Sequence, residues 1–323
     1  MRSSTVGAVG RPPKEPAAGM QRISIVVTLL LAVVLLFSIR SIHAILSSQT
    51  LQYEAERWRG ASEQTYSQVS VFWNEGEMDV SQAETLTTEL RAAFPTEEIP
   101  PFVTAWGTKS SGLAAYERRT AETELWYVSK DFFTLHSFPM TEGGAASFAS
   151  DGTEAILNEA AAYALFGSFH CLGEYVQIND AGRRVIAVLK EPDDAANKSA
   201  FGNTPRIYLP ITEDAEVSFY EAVLPEYYGG YAAQRLQNAT GQVVTSSTGR
   251  FRLSRLWKKA KSFFQAPPEA TPPFPPWEQA ARLAERKLCA WQCILTLSNI
   301  LLLWLLIKFA LLLFAKSSLK KQR

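Results

Sequence analysis

Two long apolar runs, one near each end of the chain, most constrain how this sequence can fold. The stretches Ile23 to Ile39 and Leu288 to Ile307 contain no charged residue. At a rise of about 1.5 Å per residue, each is long enough to cross a hydrocarbon layer about 30 Å thick. The sequence therefore predicts transmembrane helices over residues 23–46 and 277–315, the second beginning with a stalk, and a lipid bilayer around them.

The first run can also be interpreted as a cleaved signal peptide, because Arg22 precedes it. Its apolar stretch is longer than the usual core of a signal peptide, and Ala44, after Ile42, makes a poor cleavage site. An uncleaved anchor is therefore the favoured prediction.

Lysine and arginine residues near the two runs predict the orientation, because they are enriched on the cytoplasmic side of membrane helices. The tails, residues 1–22 and 316–323, carry slightly more of them than the facing ends of the central segment. The prediction is a protein of the cell membrane that crosses it twice. Both termini are expected to be cytoplasmic and the central domain extracytoplasmic.

The central segment is long enough to build its own hydrophobic core. Of three cysteines, Cys289 and Cys293 fall in the second apolar run, which leaves only Cys171 and predicts a domain without disulfides. The formal net charge is zero and the pI is about 6.9, so no basic footprint for nucleic acid is present.

The first part of the central segment predicts a helical stalk followed by a strand–helix–strand unit. Residues 47–66 are polar and continue the first apolar run as the stalk. The strand QVSVFWNE follows, then a helix that Ser81 and Glu84 open as a capping box, then the strand FVTAWGTK.

The same order recurs near the far end, as EVSFYEAVL, YAAQRLQNA and GQVVTSSTGRF. Two such units around an insertion predict an α+β fold with a split, ferredoxin-like layer. We expect the core domain to span residues 67–250 and a β-rich insertion to occupy about residues 122–211.

The insertion is predicted to be rich in strands. GEYVQIN and RRVIAVL form a hairpin in which Gly182 takes a positive φ. The stretch AILNEAAAYALFG combines a strand, a helix and both helix caps. In it we predict a buried strand edge at Ala155 to Leu157 and a helix from Glu159 to Phe166. Asn158 is the predicted N-cap of this helix and Gly167 its C-cap. Ala162 and Phe166 are expected on its core face.

These segments, in this order, resemble a known family. ELWYVSKDFF, AILNEAAAYALFG, LGEYVQINDAGRRVIAVL and PRIYLPI are similar to the MacB-like periplasmic core domain of type VII ABC transporter permeases of the FtsX/MacB class. The resemblance implies a two-lobed domain, one lobe split and ferredoxin-like and the other inserted and β-rich. It also implies structural signature positions at Asn158, Ala162, Phe166, Gly167, Gly173, Tyr208 and Pro210.

The resemblance implies a domain that binds partners and transmits force, with ATP hydrolysis on a separate ABC ATPase. Two positions depart from the family pattern. Gly143-Gly144 stands where the family has Gly-Arg, and Ala187 stands where the family has a glycine. Family permeases continue with three further membrane helices, whereas Arg323 follows the second run here. The expectation is a short form that works beside a complete permease.

Motifs for catalysis and metal binding are absent from the sequence. It contains no GxxxxGK[ST], HExxH, CxxC or GxSxG, and His170-Cys171 lacks a third ligand nearby. We therefore predict no enzymatic activity and no cofactor. The leading hypothesis is a non-catalytic membrane subunit of an efflux or export system, and the alternative is a stand-alone, membrane-anchored surface interaction protein.

Residues 251–276 are predicted to be a basic amphipathic and Pro-rich linker. In RLSRLWKKAKSFF the apolar residues share one helical face and the basic residues occupy the others. This pattern fits a helix at the membrane surface and, equally, a helix packed on the domain. Six prolines in QAPPEATPPFPPWEQ favour an extended spacer after it.

Overall fold

The computed structural model describes residues 18–60, 63–74, 77–93, 103–146, 148, 152–194, 197–263 and 274–321. The chain divides into two compact units. One unit is Ala44–Cys289, hereafter the domain, and it contains all ten described strands. The other consists of Met1–His43 and Ala290–Arg323 and is described separately.

The strands and helices are numbered in chain order. The strands are β1 (Tyr66–Phe72), β2 (Val103–Tyr116), β3 (Arg119–Val128), β4 (Met140–Gly143), β5 (Glu154–Asn158), β6 (Tyr175–Ile178), β7 (Ala181–Leu189), β8 (Arg206–Pro210), β9 (Phe219–Pro225) and β10 (Thr245–Ser246). The helices are α1 (Ala18–Ser48), α2 (Glu54–Arg59), α3 (Val80–Ala92), α4 (Phe132–Leu135), α5 (Glu159–Phe166), α6 (Asn197–Phe201), α7 (Tyr231–Thr240), α8 (Leu253–Phe263) and α9 (Pro276–Lys321).

One mixed sheet runs through the domain in the order β10-β1-β9-β2-β3-β8-β5-β7-β4, with β6 pairing to β2 and β7. Its first four strands are antiparallel, and α3 and α7 connect them as in a ferredoxin-like layer. The long β2–β3 hairpin carries the sheet into the inserted, β-rich lobe. The predicted α+β class and split layer are confirmed, and the strands of the two lobes form a single sheet.

The last predicted strand, GQVVTSSTGRF, is much shorter than expected. Only β10 pairs, through two residues facing β1. Gly241 and Gly249, both with positive φ, bound the segment, and Val243 is almost fully exposed. The chain therefore turns away from the sheet on both sides of β10.

Helix α3 begins earlier than predicted. Its N-cap is Asp79, whose carboxylate accepts a 2.8 Å hydrogen bond from the Gln82 backbone N–H, while the Gln82 side chain accepts one from the Asp79 N–H. Ser81 and Glu84 therefore do not form the capping box. The hydrogen bonds from Gln82 and Ser81 also lower the pKa of the Asp79 carboxyl.

The predicted hairpin between β6 and β7 is present, but Gly182 does not make its turn. Gly182 pairs with Gln177 in the ladder, which leaves Asn179 and Asp180 as the two loop residues. Both have positive φ, 46° and 67°, as a type I′ turn requires.

The segment after α1 is not the predicted helical stalk. The chain turns through a 3-10 helix, Thr50–Gln52, and continues as α2. Leu51 and Ala55 are buried because they belong to a hydrophobic core of the domain. Glu54 is also buried and accepts hydrogen bonds from the Ser137 backbone N–H at 3.0 Å and hydroxyl at 2.9 Å.

The start of α9 belongs to the domain as well. Trp277, Ala280, Ala281, Ala284 and Leu288 are all buried, so this part of the helix is packed and is not a free stalk. The prolines of the predicted spacer lie partly outside the described residues.

Two described helices are long and apolar enough to cross a membrane, at Ile25–Ser48 and Pro276–Leu311. Within the second unit, the rings of Phe37 and Trp291 meet edge to face, with centroids 5.5 Å apart. Ser38, on α1, is buried and donates its hydroxyl hydrogen to the Val34 carbonyl at 2.7 Å.

Helix α5 follows the prediction in its bounds and caps. Asn158 accepts a 2.8 Å hydrogen bond from the Ala161 N–H, and Gly167 ends the helix at φ 71°. β5 is an interior strand between β8 and β7, not an edge. Phe166 is only half-buried, against Tyr116 at 4.2 Å between ring centroids, whereas Leu165 is fully buried. The prediction of Phe166 as a core residue is therefore wrong.

The different exposures of Leu165 and Phe166 allow their contributions to stability to be compared directly. Leu165→Ala should lower the free energy of unfolding by about 2–5 kcal/mol, because it leaves a cavity in a closed core. Phe166→Ala should cost less, because part of that ring already faces solvent. Thermal unfolding of the full chain in detergent measures both, and an equal or larger loss for Phe166→Ala would contradict the structure.

Candidate functional site

A buried arginine joins three distant parts of the domain. Arg250 follows β10 and is 4% exposed. Its Nη1 and Nη2 donate to the two carboxylate oxygens of Glu278 at 2.6 and 2.8 Å, and its Nε donates to Glu285 Oε1 at 2.9 Å. Both acids lie on α9, two turns apart, so the guanidinium spans one face of that helix.

Polar neighbours complete the pairing. Gln52, before α2, accepts hydrogen bonds through Oε1 from Arg250 Nη1 at 3.1 Å and from the Ser247 hydroxyl at 2.8 Å. Arg282 and Lys259 add a second cation to each acid, at 2.7 Å from Glu278 and 2.6 Å from Glu285. Arg250, Glu278, Glu285, Gln52 and Ser247 are hereafter the Arg250 cluster.

The electrostatic balance of this cluster favours the charged state of the arginine. Burial alone would lower the pKa of Arg250, but the adjacent Glu278 and Glu285 carboxylates more than offset this and raise it. A buried bidentate pair of this kind stabilises the fold only while it is complete, because a single remaining charge is costly to bury.

A second polar contact lies inside the aromatic core at the start of α9. Trp277 donates its indole N–H to Glu221 Oε1, on β9, at 2.8 Å. The other oxygen, Oε2, lies 2.9 Å from His136 Nε2, at angles that depart from those of a hydrogen bond. Phe132 and Phe219 pack on the indole with ring centroids 5.5 Å away. All three polar side chains are almost completely buried.

The inserted lobe has its own buried network around Arg206 on β8. Arg206 donates to Glu124 at 2.6 Å, to Glu191 at 3.0 Å and to the Phe201 carbonyl at 2.6 Å. Asn158 accepts from the Arg206 backbone N–H at 2.9 Å and donates to Glu191 at 3.0 Å. Arg206, Glu124, Glu191 and Asn158 are hereafter the Arg206 cluster.

Burial and charge act in opposite directions on the acids of the Arg206 cluster. Burial raises the pKa of Glu191, and Arg206 only partly offsets it. Burial would also raise the pKa of Glu124, but Lys109 and Arg206 outweigh it and lower the value. Tyr208 is completely buried beside Glu191, and burial raises its pKa well above the ordinary value.

The structure brings only two of the seven predicted signature residues together. Asn158 and Tyr208 both contact Glu191, at the Arg206 cluster. Ala162 is buried in the apolar core of the insertion, and Pro210 ends β8. Gly167 and Gly173 both have positive φ, and a side chain at Gly167 would strike Arg119. Their assignment as a family signature stays a prediction.

His170 and Cys171 are adjacent but differ in exposure and in their contacts. His170 is exposed and lies 3.0 Å from Glu142, while Cys171 is buried and burial raises the pKa of its thiol to about 11. No group of three potential metal ligands occurs among the described residues. Cys289, assigned above to the second apolar run, lies in the domain and donates through Sγ to the Leu256 carbonyl at 3.4 Å.

Sequence reasoning missed the cations and acids that hold both clusters. The spacing of Glu278 and Glu285 was a usable signal, because two acids seven residues apart share one helical face. Arg250 and Arg206 carried no such signal, since each meets partners supplied by remote segments.

The fold and these clusters define a membrane-associated α+β domain in which the ends of the flanking helices are part of the core. The family of the MacB-like periplasmic core domain matches residues 24–252, and the chain belongs to this family. This confirms the resemblance stated from the sequence.

Two solved structures illustrate the similarity. The periplasmic region of MacB from Actinobacillus actinomycetemcomitans is 16% identical with a TM-score of 0.42, covering 56% of this chain and 89% of that one. The extracellular domain of the noncanonic ABC-type transporter YknZ from Gram-positive bacteria is 16% identical with a TM-score of 0.38, covering 56% and 99%. No curated protein matches the sequence.

The Arg250 cluster can be tested with a pair of matched variants. Arg250→Met should reduce the free energy of unfolding by about 3–5 kcal/mol, because two buried carboxylates lose their shared partner. Arg282→Met should cost at most about 1 kcal/mol, because that side chain is 41% exposed.

Chemical unfolding of the full chain in detergent measures both variants. Equal losses of unfolding free energy for the two variants would show that burial of the Arg250–Glu278 pair does not determine its contribution to stability.

Proposed function

We propose that this chain is a non-catalytic membrane subunit of an ABC-type transporter assembly that acts in efflux or export. In this proposal the domain is extracytoplasmic, binds a partner and transmits movement between that partner and the membrane helices. The observation that carries the proposal is the Arg250 cluster, which fastens the start of α9 to the sheet of the domain.

The continuity of α9 supports mechanical transmission. α9 is a single helix, and no loop separates its residues in the domain from residues 290–321. Sliding or rotating its first turns within the domain would break the bidentate Arg250–Glu278 pair and the Trp277–Glu221 hydrogen bond together. Movement of this part of α9 is therefore expected to move the domain with it.

Exposed aromatic side chains on the inserted lobe support partner binding. Tyr163 on α5 and Phe169 after it are both exposed, with ring centroids 6.5 Å apart. Exposed aromatic side chains on a stable lobe are common at protein interfaces. ATP hydrolysis is assigned to a separate ABC ATPase, and a complete permease is the second proposed partner, as the resemblance to permeases of the FtsX/MacB class implies. Membership of the MacB-like periplasmic core domain family supports this assignment.

The orientation belongs to the proposal and has its own test. With both termini cytoplasmic, Lys190→Cys in the domain should react with a membrane-impermeant thiol reagent in intact cells. Ser4→Cys and Ser318→Cys should react only after the cells are opened. All variants carry Cys293→Ala, and the chain with that change alone is the blank, since Cys171 and Cys289 are buried. Labelling of either tail in intact cells would reverse the orientation.

The two proposed partners should stay bound to the chain during purification. In mild detergent the full chain should be recovered with an ABC ATPase and a longer permease, identified by mass spectrometry. Deleting the chain should reduce export by that transporter, and the wild type and Arg282→Met should restore it. Arg250→Lys should restore the complex but not full export, because lysine keeps the charge and loses the bidentate pairing.

The alternative predicts a different result. If the chain is recovered alone or only with itself, and its deletion leaves export unchanged, the transport function is wrong. A stand-alone surface interaction protein would then be the better description.

A further inference from the structure

Helix α8 has an apolar face that the domain leaves largely uncovered. Leu253 and Trp257, one turn apart, are 62% and 45% exposed. Leu256, on the flank of the same face, is buried. The sequence left two interpretations open, and a helix packed entirely on the domain would have covered all three side chains. One flank of α8 is docked and the centre of its apolar face is not.

The docked flank fixes where α8 lies along α9. The Leu256 carbonyl accepts the Cys289 Sγ–H at 3.4 Å, and Lys259 Nζ lies 2.6 Å from Glu285 Oε1. Between these two contact points the sequence of α9 changes from charged to uncharged, since Arg286 and Lys287 precede the apolar run. α8 is therefore attached at the level where α9 becomes apolar.

The remaining faces of α8 are basic. The stretch from Arg252 to Phe264 contains no acid and five lysine or arginine residues, which lie in or beside the helix: Arg252, Arg255, Lys258, Lys259 and Lys261. Lys259 is used in the pair with Glu285 and Arg255 donates to the Thr248 carbonyl at 2.9 Å. Lys258 is exposed, and it makes no ion pair with the described part of the chain.

We propose that α8 lies in the lipid–water interface, with Leu253 and Trp257 inserted among the acyl chains and Arg255 and Lys258 near anionic lipid headgroups. Three observations select lipid as the occupant. The apolar face carries a tryptophan, which favours the membrane interface. The opposite face is basic, which complements anionic lipid. The helix is attached where α9 turns apolar. The proposal does not depend on a role in transport.

The experiment uses the full chain with Cys293→Ala, reconstituted in vesicles of phosphatidylcholine with phosphatidylglycerol. Single cysteines are placed in turn at residues 253, 255, 257 and 258 and labelled with an environment-sensitive maleimide. The Cys293→Ala chain alone is the blank, because Cys171 and Cys289 are buried. Labels at 253 and 257 should be quenched several-fold more by nitroxide-bearing lipid than labels at 255 and 258, and the order should reverse with aqueous iodide.

A matched control comes from the inserted lobe. Leu172 is exposed to a similar extent as Trp257 but lies far along the chain, after α5. A label at residue 172 should respond to iodide and not to the lipid quencher. If labels at 253 and 257 behave like the one at 172, the interfacial placement is wrong.

Two further arms separate lipid from other occupants. In vesicles without phosphatidylglycerol, or for Arg255→Glu with Lys258→Glu, lipid quenching at 257 should fall several-fold, because the headgroup attraction is lost. Protection from iodide that grows with the protein-to-lipid ratio, without lipid quenching, would instead indicate a second copy of the chain. That result would overturn the proposal.

Discussion

The pairing of one buried arginine with two acids on α9 is the interaction on which the rest of the domain depends. Arg250 has three partners, Gln52, Glu278 and Glu285, which come from opposite ends of the central segment. Inside a core, each of these charges would be costly alone, so the pairing stabilises the fold only when all the segments are in place. The two ends of the domain are thus held by one guanidinium.

This requirement explains why the segments next to the apolar helices are parts of the core and not stalks. Residues 50–59 contribute Leu51 and Glu54 to the domain, and α9 contributes Trp277 to the aromatic core. An indole buried at this position needs a partner for its N–H, and Glu221 on the interior strand β9 supplies it. Packing and polar pairing therefore act on the same turns of α9.

Features with signals a few residues apart could be predicted from the sequence. The caps of α5 and the ferredoxin-like order follow from local patterns, because capping atoms and hydrophobic periodicity are read within one element. The two arginine clusters could not, since Arg206 meets Glu124 across 82 positions and Arg250 meets Gln52 across 198. Phe166 was misassigned for a related reason. The helical periodicity of α5 places Phe166 near the core. Which of Leu165 and Phe166 is fully covered depends on the strands packed against the helix, and these cover Leu165.

The docking of α8 and the pairing of Arg250 share one atom. Glu285 Oε1 accepts from Arg250 Nε at 2.9 Å and from Lys259 Nζ at 2.6 Å, so a single carboxylate oxygen links α8 to the buried cluster. Lys259 is half-exposed, whereas Arg250 is buried, and the contact with the helix surface is therefore the weaker of the two. If the surroundings of the apolar face of α8 changed, Lys259 would move before the buried residues of the Arg250 cluster. It would alter the charge balance around Glu285 while the bidentate pair between Arg250 and Glu278 still held the core.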